Sequence, residues 1–479
     1  MIDIHTHVFN LAYLPVHGIL RARGVPESFA APAARVLDRL TRVDEMNVSE
    51  FDTVLSGAMR SELELTITDL ELDIARSVSD DDLAAVREDL AQASVALDAM
   101  SMPAANDEIS PSLLLDLDLL GTDRERLVRM LRAVGRLIDG GDEMLRWLVL
   151  MLNRETAIVE RLLSTWPEVS LFAHHMMDMD HHYPPGASRF DFVTEQLVRM
   201  RKLVARYPGR FLTFVAFDPF RADAVDVVRL ALDEHGCGGV KFYPPNGYKP
   251  IGNRDEDLIG ARADDVNRRN LELFRLCVER DVPLFTHCTP GGMESRPKVT
   301  GKFSDPKRWR RVLETDGLST LRLCLGHAGG DEGWVAPHSA EGDAVWARSY
   351  ACEVVALCAR YPNVYCEFGH MDCVLRTDER AKLARRLERV VEQYGDAFGL
   401  KMMYGSDWHL VARVPDHGEL VRVWRAVMRG SGVLAGYETK FLRANAHAYI
   451  PRASSAPSDA SPGGSTQQSE TSSSSAIAR

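Results

Sequence analysis

From residue 168 to about residue 450 the chain repeats one unit: a short apolar run, a loop rich in Gly, Pro, His or Asp, then a stretch with helical spacing. The predicted strands are Val169 to Ala173, Phe211 to Phe217, Gly239 to Tyr243, Leu284 to His287, Leu321 to Gly326, Val364 to Phe368 and Met402 to Tyr404. Helices are predicted at 190–206, 221–234, 265–280, 305–315, 345–360, 379–395 and 417–430. The apolar runs are continuous rather than alternating, as in a parallel sheet covered on both faces. With the apolar start, Met1 to Phe9, the strands number eight, the count that closes a (β/α)8 TIM-like barrel. An open doubly wound sheet fits less well. No Gly-x-Gly-x-x-Gly follows the first strand, and polar motifs follow most strands instead of gathering at one switch point.

The remaining segments are arranged around that barrel. Residues 1–49 hold the first strand, an irregular Pro- and Gly-containing stretch from Asn10 to Pro32, and a helical pattern over 33–49 through Val36, Leu37, Leu40, Val43 and Met46. The irregular stretch leaves directly from the first strand end, so it is expected at the mouth of a site. Residues 50–164 carry amphipathic runs at Leu63 to Ile74, Leu83 to Met100, Arg124 to Ile138 and Met144 to Leu163, punctuated by Pro103, Pro111 and Gly140-Gly141. They are expected to form a helical insertion that either caps the site or makes a subunit contact, as in a homodimer. Residues 165–451 complete the barrel, ending with a helix from Glu438 to Tyr449. Residues 452–479, rich in Ser, Ala, Pro, Gly and Thr, form a tail expected to be disordered.

Composition removes several classes of function. The formal charge is −12 and the arginines alternate with acids, so no basic face for nucleic acid is expected. Eight cysteines without a Cys-x-x-Cys pair do not make a disulfide scaffold, and Cys324 and Cys366 lie in apolar runs as small hydrophobes. There is no apolar run of membrane-spanning length and no basic start followed by an apolar stretch. The expectation is a cytoplasmic enzyme with a small-molecule substrate.

The chemistry lies at the strand ends. His5 and His7 are spaced i, i+2, so on a strand they point the same way with Thr6 opposite. Two imidazoles on one face suit a metal ion. The other strand ends carry Lys241, His287, His327 and Asp407, and in a barrel all these ends converge on one rim. Each has a plainer reading: a hydrogen-bonded loop histidine for His287 or His327, a helix N-cap for Asp407. As a set they are hard to explain as packing. Ser406 adjoins Asp407, but no Gly-x-Ser-x-Gly elbow accompanies it.

His5-Thr-His7, Gly239-Val-Lys-Phe-Tyr-Pro244, Thr286-His287, Leu325-Gly-His-Ala-Gly-Gly330, Tyr404-Gly-Ser-Asp-Trp408 and the closing Asn445-Ala446 together resemble the amidohydrolase superfamily. The resemblance is to its family 2 group, which also contains aminocarboxymuconate-semialdehyde decarboxylase-like enzymes, and it covers the first strand and roughly 168–450. It implies that His5, His7, His287 and Asp407 hold one divalent metal, with His327 a partner that does not ligate. Imidazoles plus a carboxylate suit Zn²⁺, and Mn²⁺ or Fe²⁺ accept similar ligands. It also leaves open a second ion bridged by a carboxylated Lys241. Otherwise Lys241 is a charged substrate contact, or an ammonium that snorkels to water.

Further residues follow strand ends within reach of a substrate. His175 and Asp178 belong to the polar run from His174 to His182, which either lines the site or forms an exposed loop. Tyr243, Arg296, Glu367 and Trp408 are candidate substrate contacts, Arg296 for a carboxylate; the alternatives are a surface salt bridge for Arg296 and rim packing for Trp408. The leading expectation is hydrolysis of a small-molecule amide, ester or lactone-like bond by metal-activated water, with His327, Asp407 and Lys241 as catalytic groups. The alternative is non-oxidative decarboxylation or C–C cleavage of a small carboxylic acid.

Overall fold

The computed structural model describes residues 1–44, 80–100, 123–139 and 143–450. Eight strands form its centre: β1 (Ile2–Thr6), β2 (Leu171–His175), β3 (Phe211–Phe217), β4 (Gly239–Phe242), β5 (Leu284–Thr286), β6 (Leu323–Leu325), β7 (Val364–Glu367) and β8 (Met402–Met403). Each pairs in parallel with the next in chain order. Ile4 N donates to Tyr404 O at 3.1 Å and Asp407 N to His5 O at 2.8 Å, which returns the eighth strand end to the first and closes the barrel. Several strands are shorter than predicted, because at their carboxyl ends the chain leaves the ladder where the polar motifs begin.

The register between β1 and β2 shifts between Asp3 and Thr6. There the Asp3 carboxylate accepts from His5 N at 3.1 Å, and it also accepts from Ser406 N beyond β8 at 3.0 Å. Inside the barrel Ile2, Ile4, Ala173, Phe214, Phe285, Cys324 and Met403 pack together, joined by Ala446 and Tyr449 from the last helix and by Ile450 just after it. The outer helices turn one apolar stripe inward. Leu420–Arg429, for example, buries Leu420, Val421, Val423, Trp424, Val427 and Met428. The single helix predicted at 345–360 is two, Ala340–Arg348 and Tyr350–Arg360. Ser349 separates them and its hydroxyl caps Cys352 N at 3.2 Å. All eight cysteines are free.

Among the described residues six α-helices precede β2: α1 (Val16–Ala22), α2 (Glu27–Leu40), α3 (Asp80–Ala99), α4 (Asp123–Asp139), α5 (Glu143–Met151) and α6 (Glu155–Thr165). α2 starts six residues ahead of the predicted 33 and carries Pro32 within it. The run from Met144 to Leu163 breaks at Asn153, whose carboxamide turns back to Val149 O at 2.8 Å. α6 is anchored by Glu155, which is fully buried. Its Oε1 accepts from Arg199 Nη2 at 2.6 Å and Tyr13 Oη at 2.9 Å, and its Oε2 accepts from Asp44 N at 2.8 Å. The run from Leu63 to Ile74, the breaks at Pro103, Pro111 and Gly140-Gly141, and the tail 452–479 lie outside the described residues.

Candidate metal centre

The carboxyl ends of the strands open into a cavity of about 570 Å³, onto which His5, His7, Lys241, His287, His327 and Asp407 all face. The histidine tautomers follow from their neighbours. His7 Nδ1 lies 2.7 Å from His175 O, and His5 Nδ1 lies 2.9 Å from Glu367 Oε1. A carbonyl or carboxylate oxygen accepts, so both Nδ1 atoms carry the proton and both Nε2 atoms present lone pairs. Those lone pairs face Asp407 Oδ1, at 3.8 Å from His5 and 3.4 Å from His7. Oδ1 is buried and has no hydrogen-bond partner among the described residues. These three electron-rich atoms lie within 4.8 Å of one another and could hold a metal ion, with the Lys241 ammonium 3.3 Å from His5 Nε2 as a neighbouring donor. Asp407 precedes the short helix Trp408–Val411 but makes no capping bond, which leaves its carboxylate free for the cavity.

Glu367 organises the back of this group. Its Oε1 also accepts from His327 N at 2.7 Å, and its Oε2 from Gly369 N. A Cβ at Gly405 would overlap Oε2, so the glycine of the Gly-Ser-Asp motif makes room for this carboxylate. Glu367 therefore orients a histidine from behind, in the manner of carboxylate–histidine–metal triads, rather than touching substrate. Lys241 is 1 % exposed, so its ammonium does not snorkel to water. Its Nζ lies 3.3 Å from His5 Nε2 and 4.3 Å above the Phe285 ring.

His287 stands beside this trio and meets His327. Its Nδ1 is 3.0 Å from His327 Nε2, while its Nε2 faces Gly291 O at 3.0 Å and His327 Nδ1 faces Gly369 O at 3.0 Å. The Thr289 hydroxyl also meets His287 Nε2, at 2.9 Å, and can donate to it; His287 Nδ1 then carries the proton and donates to His327 Nε2. His327, His370 and Asp407 hold left-handed backbone, φ 57°, 57° and 53°, a costly conformation concentrated at the cavity wall.

Burial moves His5, His7, Lys241, His287, His327, Glu367 and Asp407 toward their neutral forms. His5, His7 and His327 are held well below the ordinary imidazole range by desolvation, reinforced by neighbouring cationic groups. His287 is pushed down to about 3 by desolvation and then by Lys241. Burial lowers Lys241 to about 8, raises Glu367 to about 8 and raises Asp407 above the usual carboxylate range. Neutral imidazoles are the form in which histidine binds a metal.

The other residues named from sequence divide. Tyr243 lines the cavity, its ring 5.0 Å from His287 and its hydroxyl accepting from Met293 N at 2.8 Å. His175 is buried behind His5, ring centroids 4.8 Å apart, with Nε2 donating to Ile4 O at 2.9 Å. Asp178 is off the cavity lining, paired with Arg221 Nε at 2.5 Å. Arg296 is also off it: its guanidinium bonds to Asp257 O and lies 5.6 Å over Phe303, because the β5 loop carries it outward. Trp408 is fully buried, edge-on to Trp166 at 5.9 Å, as in the packing alternative. Sequence reasoning missed Arg23, Trp147 and His409, which line the cavity. His409 could have been found two residues beyond Asp407; Arg23 and Trp147 carry no local signal. Ile138 of α4 and Met144 and Trp147 of α5 also form cavity wall, so these helices border the site. No helix among the described residues is long and apolar enough to cross a membrane.

The amidohydrolase family model matches residues 186–447, more than half of the chain, taking in β3 to β8 and leaving His5 and His7 outside. Among solved structures, an uncharacterized TIM-barrel protein from Bordetella bronchiseptica is similar at 14 % identity, covering 61 % of this chain and 81 % of its own, with a TM-score of 0.39. 5-Carboxyvanillate decarboxylase from Sphingomonas paucimobilis is similar at 14 % identity, covering 68 % and 95 %, with a TM-score of 0.38. A dihydroxybenzoic acid decarboxylase from Polaromonas sp. JS666, holding manganese and the inhibitor 2-nitroresorcinol, is similar at 15 % identity, covering 60 % and 85 %, with a TM-score of 0.39. No curated protein matches.

Proposed function

The chain belongs to the amidohydrolase family, and on that premise we propose that it is a metal-dependent hydrolase of an amide, ester or lactone-like bond in a small molecule. The observation that carries the reading is the buried, unpartnered Asp407 Oδ1 facing the lone pairs of His5 and His7. A divalent cation held by His5, His7 and Asp407, with His287 as a further ligand, would acidify water and polarise a carbonyl; Zn²⁺ fits the donors, and Mn²⁺ or Fe²⁺ would also be accepted. Glu367 and the His175 carbonyl keep the His5 and His7 imidazoles in the tautomer that would ligate through Nε2. His327 Nε2 would accept a proton from the attacking water and return it to the leaving group, with Asp407 as its relay. Lys241, buried beside His5, offers N–H donors to charge developing on a substrate oxygen.

A second reading, non-oxidative decarboxylation of a small carboxylic acid, is favoured by Arg23. Its guanidinium lines the cavity and has no carboxylate partner among the described residues; Nη2 touches Met293 Sδ at 3.8 Å. The two readings separate on metal-loaded protein supplied with small aryl carboxylates and with their amides, esters and lactones in ¹⁸O-labelled water. Label in a product carboxylate supports the hydrolase. Carbon dioxide release with solvent hydrogen at the vacated carbon supports the decarboxylase. A chain that retains no metal after loading and dialysis would defeat both.

A further inference from the structure

His409 lies on the short helix Trp408–Val411, is 5 % exposed, and lines the cavity next to His7, ring centroids 4.8 Å apart at 31°. Its Nδ1 is 3.3 Å from the indole Nε1 of Trp147 on α5. An indole nitrogen can only donate, so Nδ1 accepts and the ring is neutral with its proton on Nε2. Nε2 is itself buried and has no hydrogen-bond partner among the described residues. A buried N–H without an acceptor is costly and uncommon, and at a cavity wall it is accounted for by an acceptor that arrives with the ligand. The surroundings limit what that ligand is. Phe9 stands edge-on to His409 at 5.3 Å, Trp147 at 6.1 Å, and Met144, Met177 and Met179 continue an apolar wall.

We propose that His409 is a substrate-binding donor and Trp147 the positioning residue that sets its tautomer, together selecting a ligand with an apolar body and a carbonyl or carboxylate oxygen. The inference rests on the functional reading above in taking this cavity as the substrate site, and it needs no step at the metal. It also gives the helical segment before the barrel a role: one of its helices supplies the indole that determines which face of His409 donates.

The test uses the full chain labelled with ¹⁵N-histidine, with and without Zn²⁺, and benzoate as the probe. His409 signals are assigned by their loss in His409→Gln. The expected result is a proton on Nε2 in the wild type, redistributed toward Nδ1 in Trp147→Phe, and a downfield move of the Nε2–H signal on adding benzoate. His409→Phe should weaken benzoate about tenfold. His409→Gln, whose amide N–H can occupy the same place, should recover most of that loss, which a purely structural role would not allow. A wild-type proton on Nδ1, an Nε2–H signal unmoved by benzoate, or equal losses in the Phe and Gln variants would each overturn the proposal. Zinc content of the same samples keeps the two readings apart. A zinc-free protein whose His409 behaves as expected defeats the metal reading alone, and a zinc-loaded protein whose His409 does not defeats this one alone.

Discussion

His5 Nδ1 donates to Glu367 Oε1 at 2.9 Å, joining the first strand of the barrel to the seventh across 362 positions of sequence. The bond leaves His5 Nε2 as a lone pair, 3.3 Å from Lys241 Nζ and 3.8 Å from Asp407 Oδ1, so one buried carboxylate sets the tautomer of a histidine it never adjoins in the chain. Glu367→Gln keeps an acceptor for His5 but sets an amide N–H against donors that now share its second oxygen. Zn²⁺ affinity, measured by competition with a chelator, should fall about 10–100-fold. Unchanged affinity would mean that Glu367 serves only the backbone turns it caps.

Asp407→Asn should separate metal binding from stability. An amide N–H in place of Oδ1 can donate to the His7 lone pair 3.4 Å away, relieving a repulsion the carboxylate leaves in place. The metal-free variant should melt at or above the metal-free wild type, while Zn²⁺ no longer raises its melting temperature. A variant that still gains stability from Zn²⁺ would argue against Asp407 as a ligand.

Lys241→Met distinguishes the roles left to this lysine. Metal content measured by mass spectrometry should stay at one ion per chain, with substrate binding altered, if Lys241 contacts substrate. A drop from two ions to one would instead identify it as a carboxylated bridge.

The Asp3 carboxyl is raised to about 7, chiefly by burial, against an ordinary value of 3.8. A carboxyl whose folded pKa is raised contributes stability that is fully present below the unfolded value and lost as pH rises through the folded one. The metal-free protein should therefore lose stability between about pH 4 and pH 7 on this account. Asp3→Asn retains an acceptor for His5 N and Ser406 N and removes the titration, so the variant should gain on the wild type across that window. Parallel melting curves against pH would refute the assignment.

Arg23→Gln tests the cavity's preference for anions. The KM of a carboxylate-bearing substrate should rise about tenfold or more, with metal content and the KM of a neutral analogue little changed. Equal effects on both would point to a packing role.

Glu155→Ala should destabilise the fold by about 3–5 kcal/mol, because it leaves the buried Arg199 guanidinium without its carboxylate. Chemical denaturation reads this directly, and a loss below about 1 kcal/mol would show that water reaches Arg199.

The eight strands and most of the helices around them were readable along the chain, and so was the set His5, His7, Lys241, His287, His327 and Asp407 at one rim. Strand and helix signals are local: apolar periodicity follows from how a backbone hydrogen-bonds and buries one face, and a barrel sends every strand end to the same side. Packing decided what each side chain meets there. Glu367 turned from the substrate to His5, the β5 loop carried Arg296 outward to Asp257, and Arg23, Trp147 and His409 arrived from segments with no motif of their own. Such pairings depend on where loops cross and which buried polar atoms must find a partner, quantities that exist only once residues far apart in sequence share one interior.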